Sequence, residues 1–199
     1  MNDSPKILPR AILFDMDGTL TEPMLDFPRI KAEMGIGSGP ILESLAQLDE
    51  SRHSLAEAVL LKHEKIAAEQ SRLNTGCRDL LAWLKSRQIP MALITRNSRI
   101  SVSTVTILHG LTFDALITRE DGPFKPDPFS LTLACERLGV RPDEAWMVGD
   151  GQYDVEAANA AKIRAVWISH GKPRHFSAEP WLTVANLLEL TKLLQAEGL

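Results

Sequence analysis

Short apolar runs at residues 11–14, 91–95, 114–118, 145–148 and 165–168 constrain this chain most, because none of them alternates with polar residues. A strand open to water on one face alternates, whereas a strand buried on both faces does not, and sheets covered on both faces are parallel. Between most of the runs lie stretches of helical period. Residues 77–88 carry Leu80, Leu81 and Leu84, and residues 127–138 carry Leu131, Ala134 and Leu138, with Asp127 placed to cap, Pro128 in the first turn and Gly139 just past the end. Strands alternating with helices, joined by right-handed crossovers, predict an α/β fold: a parallel sheet with helices on both faces.

One connection is too long for this scheme. About seventy residues separate the first run from the second, far more than a crossover helix needs. The excess has helical signals of its own: Asp26 precedes Phe27, Pro28, Ile30 and Met34 and the pattern stops at Gly35; Pro40 opens Ile41, Leu42, Leu45 and Leu48; Leu55, Val59, Ile66 and Leu73 continue the period. The chain is therefore read as a core of residues 1–21 and 76–199 with a small helical cap inserted at 22–75, in which GIGSGP at 35–40 is the candidate flexible loop but reads first as a plain helix connection.

Composition narrows the function classes. The 199 residues are 44% hydrophobic and 24% charged, as in an ordinary globular domain, and 22 basic against 26 acidic residues give a net charge of -4. With no long Lys/Arg run, nothing supplies the field for nucleic acid or anionic lipid, so neither is an expected partner. Cys77 and Cys135 form no disulfide framework and no metal-binding spacing. The opening MNDSPKILPR lacks an apolar signal core and no run is long enough to span a membrane, which together with the cysteines predicts a reducing, cytoplasmic location.

In an open parallel sheet, ligands bind beyond the carboxyl ends of the strands. Past the first run comes Asp15-Met16-Asp17-Gly18-Thr19; the second ends at Thr95; the third leads to Phe124-Lys125-Pro126-Asp127; the fourth leads to Gly149-Asp150-Gly151-Gln152-Tyr153-Asp154. Several carboxylates, one hydroxyl and one ammonium thus converge on one edge. Hard oxygen ligands with at least two carboxylates suit Mg²⁺, which takes the rest of its shell from water and substrate phosphate. Lys125 and Thr95 could hold the remaining phosphoryl oxygens. Asp15 and Asp17 could divide nucleophilic attack and proton transfer between them.

DMDGT, Thr95, Lys125-Pro126 and GDGQYD, in that order, resemble the haloacid dehalogenase superfamily, specifically its Mg²⁺-dependent phosphatases and the relatives of phosphoglycolate phosphatase. The resemblance covers essentially the whole chain. It implies a Rossmann-like core with strand order 5-4-1-2-3 and a helical cap between the first and second motifs. It further implies that Asp15 is the nucleophile and a metal ligand, and that Asp17 is the general acid/base whose backbone carbonyl also binds metal. Thr95 and Lys125 would bind phosphate, Asp150 would ligate Mg²⁺, and Asp154 would ligate it directly or orient a bound water or Lys125. The substrate is then a small phosphorylated metabolite. The sequence departs from the family's usual pattern at Arg96-Asn97, where small polar residues are frequent, and at Gly151, where a Ser often stands.

Arg96 and Asn97, with Arg52 and His53 of the cap, are candidate specificity residues. His63 and His109 read as structural or merely exposed, and the basic loop 169–176, with His170, Lys172, Arg174 and His175, could help hold an anionic substrate but reads first as a solvated face. A phosphomutase of the same fold would need a cap that excludes water during turnover. A dehalogenase would need neither Mg²⁺ nor Asp17. A phosphorylation-dependent switch of the receiver type carries its phospho-acceptor after a later strand and lacks the insertion, and a silent phosphate-binding protein has no need to keep all five motif residues. No oligomeric state follows from the sequence.

Overall fold

The computed structural model describes residues 8–196, and residues 1–7 of the N-terminal stretch read above lie outside them. The described strands are β1 (Ala11–Phe14), β2 (Met91–Ile94), β3 (Ala115–Ile117), β4 (Ala145–Gly149), β5 (Arg164–Ile168) and β6 (Leu182–Val184). The helices are α1 (Phe27–Met34), α2 (Ile41–Leu45), α3 (Glu50–Glu69), α4 (Cys77–Ser86), α5 (Arg99–His109), α6 (Phe129–Leu138), α7 (Gln152–Ala160) and α8 (Leu187–Ala196).

The strands form one parallel sheet in the order β3-β2-β1-β4-β5-β6. This is the α/β class and the five-strand order expected, with a sixth strand added beside β5. Leu182–Val184 is too short and too mixed to stand out as an apolar run; pairing with β5 makes it a strand. At the centre, Leu13 lies opposite Ala92 on one side and Met147 on the other, and all four residues of β1 are fully buried. Burial on both faces explains the missing alternation. Leu13, Ile94, Ile117 and Met147 pack with Leu131 and Ala134 of α6 and Val155 of α7. Each large side chain so buried contributes roughly 1.5–3 kcal/mol. Cys77 and Cys135 are free buried thiols, and burial pushes them up to about 12 and about 11 respectively.

The chain divides into two compact units. Of the described residues, one unit consists of 8–23, 72–96 and 111–196 and contains the sheet with α4, α6, α7 and α8. The other consists of residues 24–71 and 97–110, that is α1, α2, α3 and α5. The sequence assigns α5 to the core, since a helix between two sheet strands is the ordinary crossover. Its packing differs. Glu64 of α3, although buried, accepts from Ser98 N at 3.3 Å at the start of α5, and Ser71 Oγ meets His109 Nε2 at 2.9 Å at its end. Asp26 and Asp49 cap α1 and α3 through the backbone N–H groups of Arg29 and Arg52.

Candidate active site

The site is built within the sheet unit. Asp15 follows directly on β1, and its N–H donates to Val148 O of β4 at 2.9 Å. The chain then turns at once: Leu20 N and Thr21 N both donate to Met16 O at 2.9 Å, and Gly18 N donates to Thr21 O at 2.8 Å. Only glycine suits position 18. Its φ is +82°, and a Cβ there would fall 2.2 Å from Asp150 Oδ2. The close approach brings the Asp150 loop against the first turn, where Thr19 Oγ1 donates to Asp150 Oδ1 at 3.4 Å. The Thr21 hydroxyl lies 3.2 Å from both Asp17 Oδ1 and Met16 O, with one proton to share between them. Thr95, buried at the end of β2, donates its N–H to Ile117 O at 3.0 Å.

Lys125 is the hub. Its ammonium donates to Asp15 Oδ1 at 2.6 Å, Asp154 Oδ1 at 2.6 Å and Ile94 O at 2.9 Å, which uses all three of its N–H donors. Asp154, in the first turn of α7, also accepts from Gly151 N through Oδ2 at 3.0 Å. Asp15, Asp150 and Asp154 each offer an oxygen within 4.8 Å of the others. Three carboxylates against one ammonium leave two formal negative charges in a largely buried place. The carboxyls respond accordingly: burial, reinforced by Asp154 and Asp150, holds Asp15 well above the usual carboxylate range despite Lys125, and burial with Asp154 pushes Asp150 up to about 6. Burial works against the charge on Lys125, but Asp15 and Asp154 outweigh it and raise its pKa. A hard divalent cation would relieve the excess negative charge, and the all-oxygen donor set fits one.

Residues 28–168 match the haloacid dehalogenase-like hydrolase family. The chain belongs to this family. The matched residues include Thr95, Lys125, Asp150 and Asp154, while Asp15 and Asp17 precede them. A haloacid dehalogenase-like hydrolase domain-containing protein of Arabidopsis thaliana is 31% identical over 73% of this chain and 64% of its own length, so the chain spans less than two thirds of that relative. A phosphoglycolate phosphatase of Chromobacterium violaceum is 29% identical over 94% of this chain and 96% of its own. The crystal structure of a hydrolase from Pseudomonas syringae shares the fold, with a TM-score of 0.81 over 94% of this chain and 98% of that one at 19% identity.

In this haloacid dehalogenase-like hydrolase the remaining predicted residues part company. Arg96 stays in the sheet unit, where its guanidinium lies 4.3 Å from the Tyr153 ring and 4.9 Å from the Phe124 ring and donates to Lys125 O at 2.7 Å. It therefore ties the Lys125 and Asp150 loops together. Asn97, Arg52 and His53 belong to the helical unit, Arg52 exposed and His53 Nδ1 4.0 Å from Glu57 Oε2. The structure also joins to the site two residues to which the sequence assigns no part in its chemistry. Asn74, which the sequence places in the cap, belongs to the sheet unit and bonds the turn after Asp15. His170, in the loop read as a solvated face, bonds the same turn. An isolated Asn in a polar stretch, or a His in a basic loop, carries no periodic signal that could have revealed either.

Proposed function

We propose that the protein is a Mg²⁺-dependent phosphatase acting on a small phosphorylated metabolite through an aspartyl phosphate on Asp15. The names of the curated relatives put 2-phosphoglycolate first among the substrates to test. The observation that carries this reading is the gathering of Asp15, Asp150 and Asp154 around Lys125. In it Asp15, Asp150 and the Asp17 carbonyl would hold Mg²⁺, with Asp154 as a further ligand or as the group that orients Lys125. Bound there, the cation supplies charge neutralisation between the carboxylates and the phosphoryl oxygens.

The chain's own groups then divide the chemistry. Lys125 and Thr95 hold the phosphoryl oxygens, so a Lys125 donor passes from a carboxylate to the substrate. Asp15 attacks phosphorus as its ester bond breaks, and Asp17 gives a proton to the departing oxygen. Asp17 next takes a proton from the water that attacks the aspartyl phosphate, which restores both aspartates and releases phosphate. Both segments of the helical unit leave the sheet unit directly after a motif, at residues 23–24 and 96–97, and Arg52, His53 and Asn97 belong to it as selectors of substrate. A cytoplasmic location belongs to the same reading, since a reducing compartment keeps Cys77 and Cys135 as thiols.

The test is a panel of phosphorylated metabolites ranked by kcat/KM with Mg²⁺ and again with chelator. Turnover of small phosphate esters that disappears with chelator supports the reading. Undiminished turnover in chelator, or no ester hydrolysed, would overturn it.

A further inference from the structure

The turn that follows Asp15 is held by two side chains that the chemistry above does not use. Asn74 Nδ2 lies 3.1, 2.8 and 3.0 Å from the carbonyls of Gly18, Thr19 and Thr21, so its two hydrogens are shared among three acceptors, and its backbone N–H donates to Leu20 O at 2.9 Å. Successive carbonyls from Gly18 to Thr21 thus end on a single residue. The Gly18 carbonyl also meets His170 Nε2 at 2.6 Å. A carbonyl only accepts, so the imidazole carries its proton on Nε2 and donates it here. His170 makes this contact from a left-handed backbone with φ 51°, followed by Gly171 at φ 71°.

What these two side chains hold bears on the proton carrier. Thr21, whose carbonyl Asn74 binds, places its hydroxyl on Asp17 Oδ1, and Gly18, whose carbonyl both residues bind, lies directly after Asp17 and against the Asp150 carboxylate. We infer that Asn74 and His170 are positioning residues for Asp17, fixing the turn so that its carboxyl reaches the leaving oxygen. The inference rests on the phosphatase reading, in which Asp17 is the proton carrier. In that step the Asp15 oxygen bonds to phosphorus, the phosphorus–oxygen ester bond breaks, its electron pair goes to the leaving oxygen, and the proton of Asp17 neutralises it. Neither Asn74 nor His170 exchanges a proton.

Leaving-group dependence separates this role from a merely structural one. A poor alkoxide leaving group needs the proton, whereas p-nitrophenolate departs largely without it. With Mg²⁺ present, kcat/KM for an alkyl phosphate and for p-nitrophenyl phosphate is measured in wild type, Asp17→Asn, Asn74→Ala, His170→Ala and His170→Gln. Asp17→Asn is expected to lose about 100-fold or more on the alkyl ester and much less on the aryl ester. Asn74→Ala and His170→Ala are expected to show the same bias at about tenfold, and His170→Gln, which keeps an N–H donor, to recover most of it. Should Asn74→Ala fail to fold, His170→Ala tests the same claim with the Asn74 bonds intact. Selective loss in Asp17→Asn with an equal loss on both esters in the Asn74 and His170 variants would overturn the inference and leave the phosphatase reading standing. An equal loss on both esters in Asp17→Asn would overturn the proton-carrier role and the inference with it.

Discussion

Lys125 and Asp154 form an ion pair 2.6 Å long, and both residues are buried. The pair extends to Asp15, so removal of the ammonium strands two carboxylates at once. Breaking a buried pair from one side typically costs about 3–5 kcal/mol. Metal-free Lys125→Ala is therefore expected to be destabilised by at least about 3 kcal/mol at pH 8 and by less at pH 5, where the carboxyls take up protons. Urea unfolding in chelator at the two pH values checks this, and a variant as stable as wild type at pH 8 would contradict it.

The raised carboxyls give the metal-free protein a definite pH response. Asp150 moves from 3.8 to about 6 in the fold and Asp15 shifts in the same direction, so the folded state favours their protonated forms. Their contribution to stability is complete below the unfolded carboxyl pKa and is lost as pH rises through the folded value. On the proposed reading, Mg²⁺ bound by these carboxylates competes with those protons. The rise in Tm on adding Mg²⁺ is expected to be largest above pH 6 and to shrink toward pH 5. A rise independent of pH between 5 and 8 would contradict the assignment.

Gly18→Ala combines a left-handed φ of +82° with a Cβ 2.2 Å from Asp150 Oδ2. The turn must shift and carry Asp17 with it, so kcat/KM should fall on the order of 100-fold. Gly37→Ala is the control. A Cβ there meets nothing within 4 Å, and stability should change by no more than about 0.5 kcal/mol. Activity and Tm of the two variants, measured side by side, test the contrast.

Arg96 looks from the sequence like a reader of substrate, but its guanidinium lies close to both Phe124 and Tyr153 and donates to Lys125 O. Arg96→Ala is therefore expected to lower kcat/KM for all phosphate esters together, as loss of Lys125 alignment would. Arg52→Ala and His53→Ala in the helical unit are expected instead to change the ranking of esters. Ratios of kcat/KM across a set of esters distinguish the two patterns, and a changed ranking in Arg96→Ala would contradict the positioning role.

The sheet was legible in the sequence because strands such as β1, buried on both faces, can be written only in apolar residues. β6 was not, since three residues at an edge carry too little pattern. The sequence places α5 in the core only by its position between two strands, whereas its neighbours are set by Glu64 at one end and Ser71 at the other. Within the site, carboxylates and a lysine after strand ends announce themselves by type and position. The residues that hold the turn do not: Asn74 acts through its amide on backbone carbonyls, and His170 through one N–H on another. Contacts to backbone atoms depend on where the chain passes, which no side-chain pattern encodes.

The phosphoryl acceptor is the centre of this account. The measurement that tests it most directly is rapid acid quenching of the enzyme during turnover with Mg²⁺, followed by borohydride reduction of any acyl phosphate and peptide mapping by mass spectrometry. Homoserine is expected at position 15 in wild type and none in Asp15→Asn. Modification at Asp17 with Asp15 unmodified, or turnover by Asp15→Asn at the wild-type rate, would contradict it.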